Sequence, residues 1–315
     1  MNKIFNILKF LILLLIILVL GFTYNFVIIK QNIENKEIVI NKGDKPSDIY
    51  KKLGMKFNAF DKLYYKLTAN DRKIQDGYYY FDKNLSKYEF VNQLLDFTNT
   101  KISLTIPEGF TTEEILDRIE QLGLAKKSEI LEEMKNYDFY YKHSNNFEGY
   151  LLPQTYYFSK GNSPKEILDK ILNQFLKTFP VDKYDKDKMY EIVTLASIVE
   201  KEAKYDEDRD KIASVFYNRL KIGMSLQSDA TLKYDLKKQI TKLDLKENKS
   251  KYNTYIHKGL TPTPICNPGE KSIRACITPK SNFNKLYFFM HEDKTYYSNT
   301  HEEHLKKRRE SGHIK

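Results

Sequence analysis

The chain has 315 residues, a length that suggests two domains. It carries 52 basic and 42 acidic residues, for a net charge of +10, and basic chains are often nucleic-acid-binding proteins. That class is disfavoured here, because no basic face is interleaved with aromatic residues and an apolar N-terminal segment predicts export. Two explanations of the positive charge then remain. One is a surface that attracts anionic lipid or wall polymers, and the other is a general bias toward Lys in the composition.

The first predicted element is a membrane anchor at residues 10–29. Phe10 to Ile29 contains no charged residue and is long enough to cross a bilayer. Lys3 and Lys9 precede it, so we expect residues 1–9 in the cytoplasm, although Lys30 weakens this orientation signal. A cleavable signal peptide is the alternative, but no small-x-small cleavage site follows the apolar run. The rest of the chain should lie outside the membrane.

One pattern recurs four times between residues 37 and 171, in which a β-like run leads through a turn into a helix. Three of these four helix starts carry a Ser/Thr-x-x-Glu capping box, a strong signal for a helix N-terminus. The boxes begin at Ser86, Thr111 and Ser163. Strand, turn and capped helix at this scale predict an α+β fold.

Residues 105–315 are predicted to form a second, larger α+β domain. Two helices are expected between Tyr190 and Leu220, followed by a surface helix and loop between Leu236 and Lys251. Residues 286–298 alternate like a β-hairpin. Cys266 and Cys276 lie in the exported part, where a disulfide and two buried thiols are both possible states. His301 and His304 alone are too few ligands for a metal site, and we expect no metal or cofactor.

The most informative segment is residues 194–203, where a carboxylate stands in an apolar helical run. Val193, Ala196 and Ala203 share a helical face with Glu200, so the carboxyl should be desolvated and its pKa raised, as a general acid requires. A structural Glu paired with a neighbouring Lys is the alternative. Periodicity does not decide between Glu200 and Glu202 either.

Four short motifs accompany that helix in a fixed order. They are Glu148 to Tyr156, the Glu200 helix, Leu226 to Thr231, and Tyr252 to Tyr255 with Gly259 to Pro262 behind it. Together, and behind an N-terminal anchor, they resemble the YceG-like family of membrane-anchored endolytic murein transglycosylases. One position departs from the family pattern: Gln154 stands where an Asp or Glu is usual. A catalytic carboxylate is therefore impossible at 154, and Glu200 stands more clearly alone.

The resemblance implies a LysM-like, glycan-binding module at residues 30–104 and a YceG-like catalytic domain at 105–315. It implies cleavage of the MurNAc–GlcNAc bond within glycan strands near the cytoplasmic membrane, with 1,6-anhydro ends formed and Glu200 as the acid. The domain would be periplasmic in a Gram-negative cell, would limit nascent strand length, and has membrane peptidoglycan synthases as candidate partners. Two alternatives are a muramidase-type hydrolase and a non-catalytic wall-binding scaffold.

By analogy with goose-type lysozyme folds, a Leu-Gln element and a Tyr-Asn element would line the glycan cleft. The substrate-contact candidates are Gln227, Ser228, Asp229, Tyr252 and Asn253. For two of them a structural role is the alternative. Asp229 could be a helix N-cap, and Asn253 could be a turn residue.

Overall fold

The computed structural model describes residues 2–33, 37–81, 84–96, 100–143, 147–159 and 161–314. Met1, part of the predicted cytoplasmic segment, lies outside the described residues. The chain divides into two compact units. Unit 1 comprises Met1–Ser103 and Tyr157–Gly161, and unit 2 comprises Leu104–Tyr156 and Asn162–Lys315. Helices and strands occur in both, so the fold is mixed α+β, as predicted.

Unit 1 begins with a long apolar helix, α1, at Asn2–Thr23. A π-helical turn at Tyr24–Ile28 continues it. Within the described part of the chain, Phe5–Ile28 is the one helical stretch long and apolar enough to cross a membrane. Most of its side chains are exposed, whereas Phe26 is buried in the core of unit 1. This observation is consistent with the predicted anchor.

The rest of unit 1 is a small α+β module. Its helices are α2 (Pro46–Lys52), α3 (Ala59–Thr68) and α4 (Lys87–Leu95). Its strands are β1 (Lys30–Gln31), β2 (Glu37–Ile40), β3 (Gly77–Tyr80), β4 (Leu85–Ser86), β5 (Thr100–Thr105) and β6 (Thr155–Ser159). β5 and β6 are the strands in which the chain passes between the units. The four-stranded sheet has the order β2-β3-β5-β6, and β1 pairs with β4.

Unit 1 contains a buried ion pair next to its apolar core. The Lys87 ammonium lies 2.6 Å from the Asp61 carboxylate, with side-chain exposures of 2% and 0%. Tyr50 and Phe90, whose rings meet edge to face at 5.1 Å, are among the fully buried aromatic residues of this core. Removing either charge would leave the other buried without its partner, which is costly.

All three predicted capping boxes are confirmed. The side chains of Ser86, Thr111 and Ser163 each accept a hydrogen bond from the backbone N–H three residues later, and the Glu at that position bonds back. These boxes start α4, α5 and α7. The local signal was reliable because both partners lie within four residues of sequence.

Unit 2 is predominantly helical. Its helices are α5 (Thr112–Gln121), α6 (Lys127–Asn136), α7 (Pro164–Thr178), α8 (Lys186–Glu202), α9 (Arg209–Lys221), α10 (Asp229–Leu236), α11 (Lys242–Glu247), α12 (Glu270–Ile277) and α13 (His301–Glu310). α8 is the central helix, and α9, α10 and α12 pack against it. Every residue from Ile192 to Val199 is buried, as expected for an apolar run that covers most of the helix circumference.

The predicted hairpin is confirmed as β7 (Tyr287–His291) paired with β8 (Lys294–Ser298). Glu292 and Asp293 form its two-residue turn, with φ values of 44° and 58°. Positive φ at both central positions is the twist that a tight hairpin requires. Cys266 and Cys276 are free, buried thiols.

Candidate active site

The site is built around the C-terminal turn of α8, which carries Glu200 and Glu202. Each helical residue turns the side-chain direction by about 100°, so two residues apart these carboxylates point about 200° apart. One helix end therefore presents two acids to two different environments, and the partners of each decide its chemistry.

Glu200 lies in a cluster of donors. Its Oε1 accepts a hydrogen bond from Arg209 at 3.0 Å. Its Oε2 accepts from the Gly269 backbone N–H at 2.9 Å and from the Ser272 hydroxyl at 2.8 Å. The side chain is 6% exposed. Three donors, one of them a guanidinium, therefore bind the two oxygens of this carboxylate.

A second carboxylate, Glu108, approaches the same guanidinium. Its Oε2 lies 3.5 Å from Arg209. Burial raises the pKa of Glu108, and the Glu200 charge raises it further, while Arg209 opposes the rise. Arg209 thus joins two acids and α12, an arrangement that holds elements of the fold together.

Glu202 has a different environment. Burial raises the pKa of its carboxyl, and the nearby charge of Asp229 adds to the rise. The Ser228 hydroxyl, which donates to Glu202 Oε1 at 2.5 Å, and the positive charge of Arg219 oppose it. Glu202 also lines a pocket of about 180 Å³ with Gln227 and with Phe289 of the hairpin. A carboxyl whose pKa is raised in a pocket fits the role of a general acid.

The residues that start α10 converge on Glu202. Ser228 occupies the N-cap position, yet its hydroxyl does not cap the helix and bonds Glu202 instead. Gln227, just before it, is exposed and has a φ of 53°. A non-glycine residue in the left-handed region is strained, and such strain is common at functional sites. The backbone here is held by the Gln227 N–H, which donates to the Thr254 carbonyl at 3.0 Å.

Asp229 is the first residue of α10 and not its N-cap, so the cap alternative for Asp229 was wrong. Its side chain is free for another contact, and its Oδ1 accepts a hydrogen bond from the Tyr255 hydroxyl at 2.6 Å. The residue is exposed, and its charge helps to raise the pKa of Glu202. Asp229 is therefore the nearest second carboxylate to Glu202 on this helix.

The Tyr-Asn element divides between two roles. Asn253 is fully buried, and its amide donates to the carbonyls of Leu245 and Asn248 at 3.1 and 2.8 Å. Its Oδ1 accepts from the Tyr255 N–H. These contacts fit the turn alternative and leave no amide group for a sugar. Tyr252 is half-buried, and its hydroxyl is hydrogen-bonded to Thr263 at 2.8 Å.

The sequence reasoning missed Glu148. This residue is 3% exposed, and it accepts from the backbone N–H and hydroxyl of Thr112, from Asn267 and from the Tyr234 hydroxyl. Burial raises its pKa to about 7, against the lowering effect of these donors. The motif that begins at Glu148 was noticed, but no periodicity marks the residue because it lies in a turn before β6.

The predicted site residues thus fall into separate places. Gln227, Ser228 and Asp229 gather around Glu202, and Tyr252 lines a different groove on α10. Glu200, the predicted acid, belongs to the Arg209 cluster, and its role as the acid stays a prediction. Within the described residues there is no group of three or more His, Cys, Asp or Glu that could hold a metal ion.

Comparisons with known proteins identify the family of the chain. Residues 38–310 match the model of the YceG-like family. A Bacillus subtilis (strain 168) protein called endolytic murein transglycosylase is 30% identical over 269 residues, which cover 77% of this chain and 74% of that one.

A Streptococcus pneumoniae (strain D39) protein of the same name is also 30% identical, over 76% of this chain but only 51% of its own length. This chain therefore spans about half of that longer relative. A 2.6 Å crystal structure of a YceG-like protein from Listeria monocytogenes is 31% identical, with a TM-score of 0.58 over 86% of this chain and 98% of that one. The chain belongs to the YceG-like family.

Proposed function

We propose that the chain is a peptidoglycan lytic transglycosylase that cleaves the MurNAc–GlcNAc bond within glycan strands, and that Glu202 is its acid. The observation that carries the assignment is the environment of Glu202. Its carboxyl is desolvated, bonded to a helix-start serine, and placed beside a strained, exposed Gln227. The relatives named endolytic murein transglycosylase support the reaction class.

The chemistry needs one group that changes its protonation state. Protonated Glu202 donates its proton to the glycosidic oxygen, and the bond from the anomeric carbon to that oxygen breaks. The resulting carboxylate removes the proton from the C6 hydroxyl of MurNAc. That oxygen attacks the anomeric carbon and closes the 1,6-anhydro ring. Proton and bonds balance without water, and the intramolecular hydroxyl supplies the advantage of proximity.

Two single substitutions separate the candidate acids. Glu202→Gln keeps the shape of the side chain but has no proton to transfer, so cleavage should fall at least ~100-fold, within the usual range for a general acid. Glu200→Gln breaks the ion pair with buried Arg209, and its main effect should be a lower melting temperature. The assay is mass spectrometry of products from isolated glycan strands, below the melting temperature of either variant.

Full activity in the Glu202→Gln variant would overturn this assignment. Loss of cleavage in a well-folded Glu200→Gln variant, with Glu202→Gln active, would return the acid to Glu200. The pair of variants is matched, because the residues lie two positions apart on one helix and undergo the same change.

A muramidase-type hydrolase is the second candidate, because Asp229 is close enough for its charge to act on Glu202. Inverting and retaining hydrolysis both use a second carboxylate. A transglycosylase does not need that carboxylate, so Asp229→Asn should keep at least about a third of the wild-type activity. Products heavier by one water, together with an inactive Asp229→Asn variant, would establish hydrolysis instead.

We propose that the protein lies at the outer face of the cytoplasmic membrane, held by α1 with residues 1–9 inside. The module at 30–104 would be LysM-like and would bind glycan. Nascent strands are the proposed substrate, with membrane synthases as partners. N-terminal sequencing of the mature protein tests the anchor. An N-terminus near residue 25–30 in a soluble fraction would contradict it.

A further inference from the structure

A broad groove lies elsewhere on unit 2, and we call it the α5–α10 groove. It encloses about 1080 Å³, at the upper end of the range for ligand sites. Its walls come from α5, α6 and α10. The side chains that carry the inference are Leu116, Leu131, Glu148, Tyr234, Tyr252 and Ile265.

The apolar part of the groove suits a flat ring with C–H faces. Tyr234 and Tyr252 lie with ring centroids 5.5 Å apart and planes tilted by 53°. Both are half-buried, which leaves part of each ring open to the groove. On the α6 side, Leu131 is 39% exposed. Pyranose rings pack their C–H faces on such aromatic surfaces, while the tyrosine hydroxyls stay polar.

Both rings are held in place by their hydroxyls. Tyr234 donates to Glu148 Oε2 at 3.1 Å, and the Tyr252 hydroxyl is bonded to Thr263 at 2.8 Å. Side chains that are already ordered lose little entropy on binding. Glu148 is therefore a positioning residue for Tyr234, and its three other donors fix it in turn.

The rim of the groove is charge-compensated. Five lysines face four acidic residues, apart from the buried Glu148. Lys127 pairs with Asp117 at 2.6 Å, and Lys237 pairs with Glu113. A polyanion such as a nucleic acid or an anionic wall polymer needs a surplus of positive charge. This rim fits an uncharged polymer that carries hydroxyl and acetamido groups.

One helix joins the groove to the acid. The start of α10 lies at Glu202, through Ser228 and Asp229, while Ala230, Lys233 and Tyr234 line the groove. Tyr234 follows Asp229 by five residues, about 8 Å along the helix axis at 1.5 Å per residue. A chain of sugars that runs beside α10 would reach both places.

We infer that the α5–α10 groove is a binding site for N-acetylated sugars, and that it holds the glycan strand on one side of the bond cleaved at Glu202. This inference rests on the proposed function. Cutting within a strand requires sugars bound beyond the reacting pair, and a pocket of about 180 Å³ at Glu202 does not supply that surface.

The test measures sugar binding without cleavage. The full-length Glu202→Gln protein in detergent lacks the proposed acid and keeps the Glu200–Arg209 ion pair, and it is titrated with chitotetraose by calorimetry. Added Tyr234→Leu or Tyr252→Leu should each weaken binding at least five-fold, because the aromatic surface is lost. Tyr234→Phe keeps the ring but loses the bond to Glu148, so it should weaken binding less than Tyr234→Leu does. Tyr140→Leu is the matched control, since Tyr140 is 47% exposed and lies outside the groove.

Unchanged affinity in both leucine variants, with cooperative melting retained, would overturn the inference. Absence of chitotetraose binding would also overturn it. So would binding of a free stem peptide, and not of the sugar, that depends on these tyrosines. Failure here is distinguishable from failure of the proposed function. If the protein forms anhydro products but binds no sugar in the groove, only the groove assignment is wrong. If it binds sugar in the groove but cleaves nothing, only the proposed reaction is wrong.

Discussion

The buried carboxyl of Glu148 should make the stability of unit 2 fall as the pH rises. Burial raises its pKa from 4.5 to about 7 in the folded chain. Between these values the folded state holds a proton that the unfolded state has lost, so the free energy of unfolding decreases with increasing pH. The stabilisation is complete below about pH 4.5 and is lost once the pH passes about 7.

The magnitude follows from the size of the shift. Each pKa unit corresponds to about 1.4 kcal/mol, so the shift of Glu148 amounts to about 3 kcal/mol across this range. Glu148→Gln replaces the titrating group by an amide that can still accept from Thr112 and Asn267. The free energy of unfolding of the variant, relative to the wild type, should therefore rise by about 3 kcal/mol between pH 4.5 and pH 8.

The assay is urea unfolding of both full-length proteins, followed by circular dichroism at pH 4.5, 6, 7 and 8. Comparison of the pair removes the contribution of every other titrating group, because the two proteins share them. Glu113→Gln is the control: the hydrogen bond from Lys237 lowers the pKa of Glu113, so its difference curve should be flat above pH 5. A constant difference between wild type and Glu148→Gln over the whole range would refute the reasoning.

Two further changes test the packing. Gly149→Ala should destabilise unit 2 by about 2–4 kcal/mol. Gly149 has a φ of +93°, and a Cβ there would lie 2.5 Å from Val193 and 2.8 Å from Pro264. A melting temperature equal to that of the wild type would contradict this expectation. Lys87→Met should cost about 3–5 kcal/mol of stability, because it leaves Asp61 buried without its partner. Lys30→Met, in the exposed pair of Lys30 with Glu89, should cost under about 1 kcal/mol. Equal costs for the two pairs, measured by urea unfolding, would be evidence against a buried charge.

The elements that the sequence predicted well are those with local signals. The capping boxes at Ser86, Thr111 and Ser163 need only partners three residues apart, and all three form as expected. The hairpin turn at Glu292 and Asp293 was recognisable from the alternation on either side of it. Such features depend on a few neighbouring residues, so the rest of the fold does not alter them.

Features that depend on distant partners were predicted less well. Asn253 was proposed to contact substrate, but its amide closes the loop after α11, and only the folded chain brings Leu245 and Asn248 to it. Glu148 lies in a turn, and its burial comes from α5, α10 and Asn267 together. Spacing along the chain carries no information about either environment.

The choice between Glu200 and Glu202 shows the same limit at the site itself. Both residues end the apolar run of α8, and both meet apolar neighbours on the helix surface. Their side chains point about 200° apart, so the fold must supply different partners to each. Glu200 receives a guanidinium and two further donors, which occupy both of its carboxylate oxygens. Glu202 receives a serine that leaves its helix uncapped, beside a glutamine held in a strained backbone. The N-cap serine of α10 donates to the Glu202 carboxyl and makes no side-chain hydrogen bond to its own helix, so the start of α10 is organised around Glu202. For this reason Glu202 is the better candidate for the acid that donates a proton to the glycosidic oxygen.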